Sequence, residues 1–197
     1  KTGSTTLSVI PDAGRNIGGI TFDTSAVGAF TIGSLGGSAL LLSDGGAIQN
    51  TTAVGANQTL NAPLVLQGDG GAYAFTANST ASSNSKLLLF NGGITGAALT
   101  SNTNTLTLNG VNTGANALNS IVGDGAGGGK LALAKSGSGT WVVSGTNTFS
   151  GGTTLNNGTL HLNNPFAIGT GTLTLNGGTL MNSKGSGIVL SNACAQV

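Results

Sequence analysis

The chain has 197 residues, of which 36 are glycine and only 6 % are charged; its acidic residues are five Asp, and its formal net charge is +1. An average soluble protein is about 25 % charged and about 7 % Gly. The few cations are scattered along the sequence, so they form no basic patch that would bind nucleic acid or an acidic membrane surface. No apolar run approaches about 20 residues, so we expect no membrane-spanning segment.

The composition favours an all-β fold. Glu is absent and Lys, Arg and Met are scarce, which removes most strong helix formers, whereas Thr, Val, Leu and Ile supply strand formers. Disorder is the alternative interpretation of a Gly-rich chain. It is disfavoured because disordered segments combine low hydrophobicity with high net charge, and this chain has regular Leu and Val pairs.

Alternating apolar pairs, separated by Gly-rich turns, recur in chain order without a break that would mark a linker. They are Leu7/Val9, Ile20/Phe22, Phe30/Ile32, Leu40/Leu42, Leu64/Leu66, Tyr73/Phe75, Leu87/Leu89, Leu106/Leu108, Leu131/Leu133, Trp141/Val143, Leu160/Leu162, Leu173/Leu175 and Ile188/Leu190. Alternation with a period of 2 is typical of strands with one buried face. We therefore predict one continuous solenoid over residues 1–197, with the polar stretches 76–85 and 110–119 projecting as loops.

A short motif occurs twice near the end of this series. TLNNGTL at residues 154–160 returns as TLNGGTL at residues 174–180, a period of 20 residues. A fixed period of about 20 to 50 residues is typical of solenoids, in which each repeat forms one coil and neighbouring coils bury each other. The motif joins two short strands through Asn and Gly, which tolerate the backbone conformations of tight corners. The sequence therefore predicts β-helix coils of about 20 residues.

The stretch that contains the motif also has a family resemblance. Residues 135–160 (KSGSGTWVVSGTNTFSGGTTLNNGTL) and 167–180 (AIGTGTLTLNGGTL) closely resemble the autotransporter passenger-associated β-strand repeat. Residues 57–64 and 104–110 look like degenerate coils that flank such repeats. The resemblance implies a right-handed parallel β-helix in a secreted or surface-displayed bacterial protein, where the repeat forms a stalk that holds functional regions away from the cell.

The motif also predicts which side chains face the core. Leu160, Leu175 and Leu180 are expected inside, whereas Thr159 and Thr179 face outward and stack in register. Burying each Leu contributes about 1.5 to 3 kcal/mol.

Asparagines and aromatic residues complete this prediction. We expect Asn156, Asn163 and Asn176 at corners, where an amide can bond its own backbone or the Asn one coil away. Trp141 and Phe149 are expected to fill wider cross-sections of the core. The alternative for the aromatic residues is a stacking platform for sugars, but aromatics make up only 4 % of all residues.

Catalytic interpretations find little support. His161 is the sole histidine and lies between two apolar residues, so we expect it on the surface. Glycoside hydrolysis needs two carboxyl groups about 5 to 10 Å apart, yet the carboxylates are dispersed and the sole Arg15 has no acidic cluster beside it. The five carboxylates are Asp12, Asp23, Asp44, Asp69 and Asp124.

Metal sites and disulfides are similarly unsupported. The stretches 68–71 (GDGG) and 123–125 (GDG) faintly resemble calcium turns but lack a tandem nine-residue repeat, so we interpret them as ordinary turns. Cys194 is the sole cysteine and can form neither an internal disulfide nor a metal site alone. We predict no catalytic, metal or cofactor-binding residues.

These observations lead to a functional hypothesis. We expect a non-enzymatic, extracellular or cell-surface β-solenoid that acts as a stalk, fibre subunit or adhesive element. The alternative is a polysaccharide-binding module, lyase or hydrolase on the same scaffold. The expected partners are further copies of the chain, stacked head to tail with Cys194 buried near the junction, and possible glycans or host surfaces. Because neither end resembles a capping repeat, we expect a filament or a segment of a longer, processed protein.

Overall fold

The computed structural model describes residues 6–23, 25, 28–80, 85–97 and 100–190. Within these ranges the chain forms short strands: β1 (Thr6–Val9), β2 (Arg15–Phe22), β3 (Ala29–Ile32), β4 (Leu40–Asn50), β5 (Gln58–Leu60), β6 (Leu64–Leu66), β7 (Ala72–Ala77), β8 (Leu88–Phe90), β9 (Ile94–Gly96), β10 (Thr103–Gly110), β11 (Asn116–Leu118), β12 (Val122–Gly123), β13 (Lys130–Lys135), β14 (Thr140–Val143), β15 (Thr153–Leu155), β16 (Thr159–Leu162), β17 (Leu173–Leu175) and β18 (Thr179–Asn182). No helix among the described residues is long and apolar enough to cross a lipid bilayer.

All strand pairs are parallel and join strands that are one coil apart in the chain. Sheet A runs in the order β1-β3-β5-β8-β11-β14-β16-β18. Sheet B runs in the order β12-β9-β6-β4-β7-β10-β13-β15-β17, and β2 also pairs with β4. The first half of β4 pairs with β6 and its second half with β7, so sheet B has two arms that meet at β4. The chain winds through sheet A and then sheet B in each coil, which confirms the predicted parallel β-helix.

The length of a coil changes along the solenoid. In sheet A, Thr140 pairs with Thr159 and Thr159 pairs with Thr179, so these two coils have nearly the length of the sequence motif. An earlier coil is half as long again, because Gln58 pairs with Leu88. The coil length is therefore close to the sequence period in the last coils and greater in the earlier ones. The longer coils add a third strand, from the β6-β9-β12 arm, and wider corners.

The core is a column of inward side chains that continues from coil to coil. Phe75 and Phe90 stack with ring centroids 4.1 Å apart, and Trp141 lies 6.2 Å from Phe90. Trp141 and Phe149 are both buried, as the sequence predicted. The indole N–H of Trp141 donates to the Asn109 carbonyl at 3.0 Å, so the largest side chain has its polar atom paired.

The motif residues have the predicted register, but burial decreases toward the last described coil. Leu160 is fully buried, and it pairs with Leu180 as Thr159 pairs with Thr179. Leu175 and Leu180 are only partly buried and pack against the edge of the core. The expectation of full burial is wrong for these two residues, since no further described strand pairs with β17 or β18 on the outer side.

The predicted projecting loop at 110–119 is also wrong. This stretch contains β11, and Asn112 and Asn116 are among the buried polar residues. Asn116 Nδ2 donates to the Thr140 carbonyl at 3.0 Å and to Asn112 Oδ1 at 3.0 Å, so its amide is paired inside the coil. Of the stretch 76–85, the first residues belong to β7 and residues 81–84 lie outside the described residues.

Candidate functional site

The outer face of the long arm of sheet B carries an uncharged column of small side chains. Its members occupy one register position in successive coils, Ala47, Ala74, Thr107, Ala134, Thr154 and Thr174. They alternate with buried residues, so each points away from the core. We call this column the B-face column. Short side chains on stacked parallel strands give a flat surface without a groove that could enclose a substrate.

A second outward column runs along sheet A and is more apolar. Its register positions are Thr59, Leu89, Ala117, Val142, His161 and Met181. We call it the A-face column. His161 lies on the outer face, as predicted, and is half-buried between Val142 and Met181. No described acidic residue hydrogen-bonds to it, so the histidine lacks the partner that a catalytic triad requires.

The corner that follows sheet A carries an asparagine ladder. Asn91 Nδ2 donates to Asn61 Oδ1 at 3.0 Å, and Asn119 Nδ2 donates to Asn91 Oδ1 at 2.8 Å. The Asn91 amide is thus both donor and acceptor between neighbouring coils. Ladders of this kind stabilise stacked parallel strands.

The predicted corner asparagines form shorter ladders in the last coils. Asn176 Nδ2 donates to Asn156 Oδ1 at 2.9 Å, and Asn156 Nδ2 donates to Ser136 Oγ at 3.3 Å. Asn163 Nδ2 donates to Ser144 Oγ at 3.4 Å at the opposite corner. The predicted bond between Asn residues one coil apart is confirmed for Asn156 and Asn176, whereas Asn163 bonds a serine.

Three of the five carboxylates that sequence reasoning considered form local bonds. Asp12 forms an exposed ion pair with Arg15 at 2.6 Å, and Asp69 accepts from Thr100 Oγ1 at 2.8 and 2.9 Å. Asp124 accepts from the Leu131 amide at 2.6 Å and from Ser150 Oγ at 2.6 Å. Among the described residues, no three His, Cys, Asp or Glu side chains lie together so as to hold a metal ion. Cys194 lies outside the described residues.

Tyr73 has an unpaired hydroxyl near one of these carboxylates. The side chain is buried, and its oxygen has no hydrogen-bond partner within the described part of the chain. Burial, together with the negative charge of Asp44, raises the pKa of Tyr73 to about 12. Gly71 lies between the two groups, and a Cβ there would collide with both. A phenol with a raised pKa stays neutral at physiological pH.

Sequence reasoning missed the buried lysine of the repeat. Lys135 occupies the inward register position between Leu108 and Leu155, and its side chain is fully buried. Its ammonium group donates to the carbonyls of Gly137 and Asn157, the latter at 3.2 Å. Burial lowers the pKa of Lys135 to about 8. The alternation Leu131, Leu133, Lys135 already gave the signal, because it places the lysine on the inward face.

The geometry defines a class of protein, an all-β parallel solenoid with a column of small and hydroxyl side chains on the outer face of sheet B. Residues 133–162 match the model of the passenger-associated-transport-repeat family. This match confirms the resemblance in the best-matching part of the sequence.

A curated relative extends the match. The chain is 44 % identical over 81 residues to the adhesin BmaC autotransporter of Brucella suis biovar 1 (strain 1330). The aligned part covers 40 % of this chain and 2 % of that adhesin, so the chain spans only a small fraction of its relative. No solved structure matches the chain significantly. The repeat and the relative indicate an exported, cell-surface bacterial protein.

Proposed function

We propose that the chain is a non-enzymatic stalk segment of a surface-displayed bacterial passenger and that its sheet faces contribute to adhesion. The observation that carries this proposal is the continuous stack of parallel coils around residues 133–162, which match a passenger repeat. A stack of this kind is stiff along its axis and presents repeated side chains at a constant spacing, as an extended binding surface requires.

The distribution of chemical groups supports a binding role over catalysis. The B-face column and the Asn ladders offer hydroxyl and amide groups, which can bond sugars or polar protein surfaces. Two of the described carboxylates, Asp69 and Asp124, are engaged in local bonds that hold turns. Polysaccharide cleavage would need two cooperating carboxyl groups or a cation-assisted base, and among the described residues no three His, Cys, Asp or Glu side chains lie together so as to hold a metal ion.

Head-to-tail stacking is the second part of the proposal. At one end of the described solenoid, Leu180, Ile188 and Leu190 line an apolar cavity of about 190 Å³. At the other end, Ile17 and Ile20 line a second apolar cavity, of about 370 Å³. Another coil, from a longer chain or a second copy, would cover these side chains and pair with β17 and β18.

Adhesion is tested with beads coated with the purified chain and added to glycan arrays and to cultured epithelial cells. Replacing Thr107, Thr154 and Thr174 by Asp places three charges on the B-face column without changing the core. We expect this variant to lose most retention, whereas Asp replacing exposed Thr113 and Ser138 should retain it. Equal retention by both variants would contradict a role for the B-face column. Release of reducing sugar that is abolished by Asp69→Asn or Asp124→Asn would instead support the enzymatic alternative.

Stacking is tested by sedimentation velocity over a range of protein concentrations. We expect the mean mass to rise with concentration for the unmodified chain and to rise less for Ile188→Asp, which charges an apolar end. Val111→Asp, on the side of the solenoid, serves as the matched control and should associate normally. A single monomeric species throughout the micromolar range would contradict head-to-tail association.

A further inference from the structure

Four Asn-Gly steps occur in the sequence, and the structure places them in different environments. They begin at Asn91, Asn109, Asn157 and Asn176. In an Asn-Gly step the backbone nitrogen of Gly can attack Cγ of the Asn amide, because Gly has no side chain to hinder the approach. A Gly nitrogen that is hydrogen-bonded to a neighbouring coil, or an Asn amide that is fixed by such a bond, hinders this reaction. The environment of each step therefore determines its reactivity.

Two of the four steps are held by coil-to-coil bonds, and a third lies within a paired strand. Gly92 N donates to the Leu60 carbonyl, and the Asn91 amide is fixed in the asparagine ladder. Gly177 N donates to the Leu155 carbonyl, and the Asn176 amide donates to Asn156. Gly110 lies within β10, in register with Ala77 of β7.

The step at Asn157 differs in both respects. Gly158 N donates to Oδ1 of Asn157 itself, at 2.7 Å, so the nucleophile and the amide group that it attacks are already in contact. Asn157 is exposed, and the position corresponds to Gly177 in the next coil, which explains why its amide joins no ladder. Holding reacting groups at such short range is the main requirement for an intramolecular reaction.

Lys135 polarises the same peptide unit. Its ammonium group donates to the Asn157 carbonyl at 3.2 Å, and that carbonyl is conjugated with Gly158 N. When Gly158 N loses its proton, the negative charge is shared with this oxygen, where the ammonium group stabilises it. The register neighbours Leu108 and Leu155 are uncharged, and Lys135 has no ion pair among the described residues. No carboxylate therefore offsets the effect of the cation.

We propose that Asn157–Gly158 is a self-modification site at the corner of the passenger repeat, with Lys135 as its positioning residue. Solvent base removes the Gly158 amide proton, the nitrogen forms a bond to Asn157 Cγ, and the bond between Cγ and Nδ2 breaks with release of ammonia. Water then opens the five-membered imide at either carbonyl, which leaves Asp or isoaspartate at position 157. The product gains a negative charge, and the isoaspartate form lengthens the backbone at this corner by one carbon.

The site is tested by incubating the folded chain and a urea-unfolded sample at neutral and mildly alkaline pH, followed by peptide mass spectrometry. In the folded chain we expect conversion at Asn157 and retention at Asn91, Asn109 and Asn176. In the unfolded sample all four should convert at similar rates. Asn157→Gly, which copies the neighbouring coil, should abolish ammonia release. Conversion at Asn157 no faster than at Asn91 and Asn176 would overturn the proposal.

The role of Lys135 is tested separately through the pH profile. With the unmodified chain, the rate should rise with pH and then level off as the ammonium group loses its proton. Lys135→Leu should convert about tenfold more slowly at neutral pH, since a nearby cation shifts an ionisation by about one unit or more. Its profile should rise without levelling, and circular dichroism checks that the variant is folded. A Lys135–Asn157 cross-linked peptide, or a levelling profile in Lys135→Leu, would contradict this role.

Discussion

At the scale of single residues, Lys135 is the clearest departure from the pattern of the core. The register position that it occupies holds Phe75 and Leu108 in earlier coils and Leu155 in the next one. The carbonyls of Gly137 and Asn157 accept its hydrogen bonds, and Gly158, at φ +69°, leaves the space that the ammonium group needs. Replacing Lys135 by an apolar residue would leave these two carbonyls without their donor, which is costly.

The lowered pKa of Lys135 predicts a pH-dependent stability. The pKa is about 8 in the folded chain and 10.5 for an ordinary lysine, so between these values the unfolded chain binds more protons. The free energy of unfolding should therefore rise as the pH increases through this window. Urea denaturation at a series of pH values measures this change in stability. The urea concentration at the midpoint of unfolding should increase with pH.

Two variants control this experiment. Lys135→Leu should remove the rise, because no buried lysine remains to lose its proton. Lys130→Leu, which replaces an exposed lysine of the same strand, should keep it. A midpoint that falls over this pH range in the unmodified chain would contradict the burial of an ammonium group at position 135.

At the scale of elements, coil-to-coil amide bonds and core leucines hold neighbouring strands in register. Asn91 takes part in two amide bonds, at 3.0 and 2.8 Å, whereas Asn163 donates one longer bond of 3.4 Å to a hydroxyl group. A hydrogen bond contributes a net free energy of about 0.5 to 1.5 kcal/mol to stability. Asn91 and Asn163 therefore provide a strong and a weak contact between coils, both formed by the side-chain amide of an Asn.

We predict that Asn91→Ala lowers the free energy of unfolding by about 1 to 3 kcal/mol, because both bonds are lost. Asn163→Ala should lower it by less than about 1 kcal/mol. Chemical denaturation of both variants measures the difference. Equal losses would show that the ladder at Asn61, Asn91 and Asn119 contributes no more than an isolated exposed contact.

The core leucines allow a second comparison, between a fully buried and a partly buried side chain. Leu155 is fully buried, and Leu175, its register partner in the next coil, is only partly buried. Leu155→Ala should cost about 2 to 5 kcal/mol, as large-to-small changes in a core do. Leu175→Ala should cost clearly less, because fewer atoms lose their packing. Thermal or urea unfolding of the two variants tests this order, and a larger loss at position 175 would contradict the assigned burial.

Sequence reasoning recovered the elements that repeat and missed the features that depend on neighbouring coils. The repeated motif placed Leu160 inside and Thr159 in register with Thr179, because local alternation fixes side-chain direction. The stretch 110–119 was misjudged because its asparagines are polar, although Asn112 and Asn116 pair their amides inside the coil. The partial burial of Leu175 depends on which strands cover it, and the local sequence pattern contains no information about those strands.

At the scale of the whole molecule, the solenoid narrows along its axis. Thr59 and Leu89 are register partners in neighbouring coils, and so are His161 and Met181. The number of residues between Thr59 and Leu89 is about one and a half times the number between His161 and Met181. The rise per coil stays the same, because it is set by the hydrogen-bonded spacing of parallel strands, about 4.8 Å. A solenoid of this kind gains length in proportion to its number of coils and becomes narrower where the passenger repeat begins.

The stacking of the coils is tested most directly by electron-spin distance measurements between labels on the A-face column. Thr31 is followed by six further register positions that end at Met181. We predict separations of about 19 Å for labels at Thr31 and Val142, about 24 Å at Thr59 and Met181, and about 29 Å at Thr31 and Met181. Distances that follow the number of coils, and not the number of residues, would support the parallel solenoid. Distances that scale with sequence separation, or broad distributions for all three pairs, would contradict it.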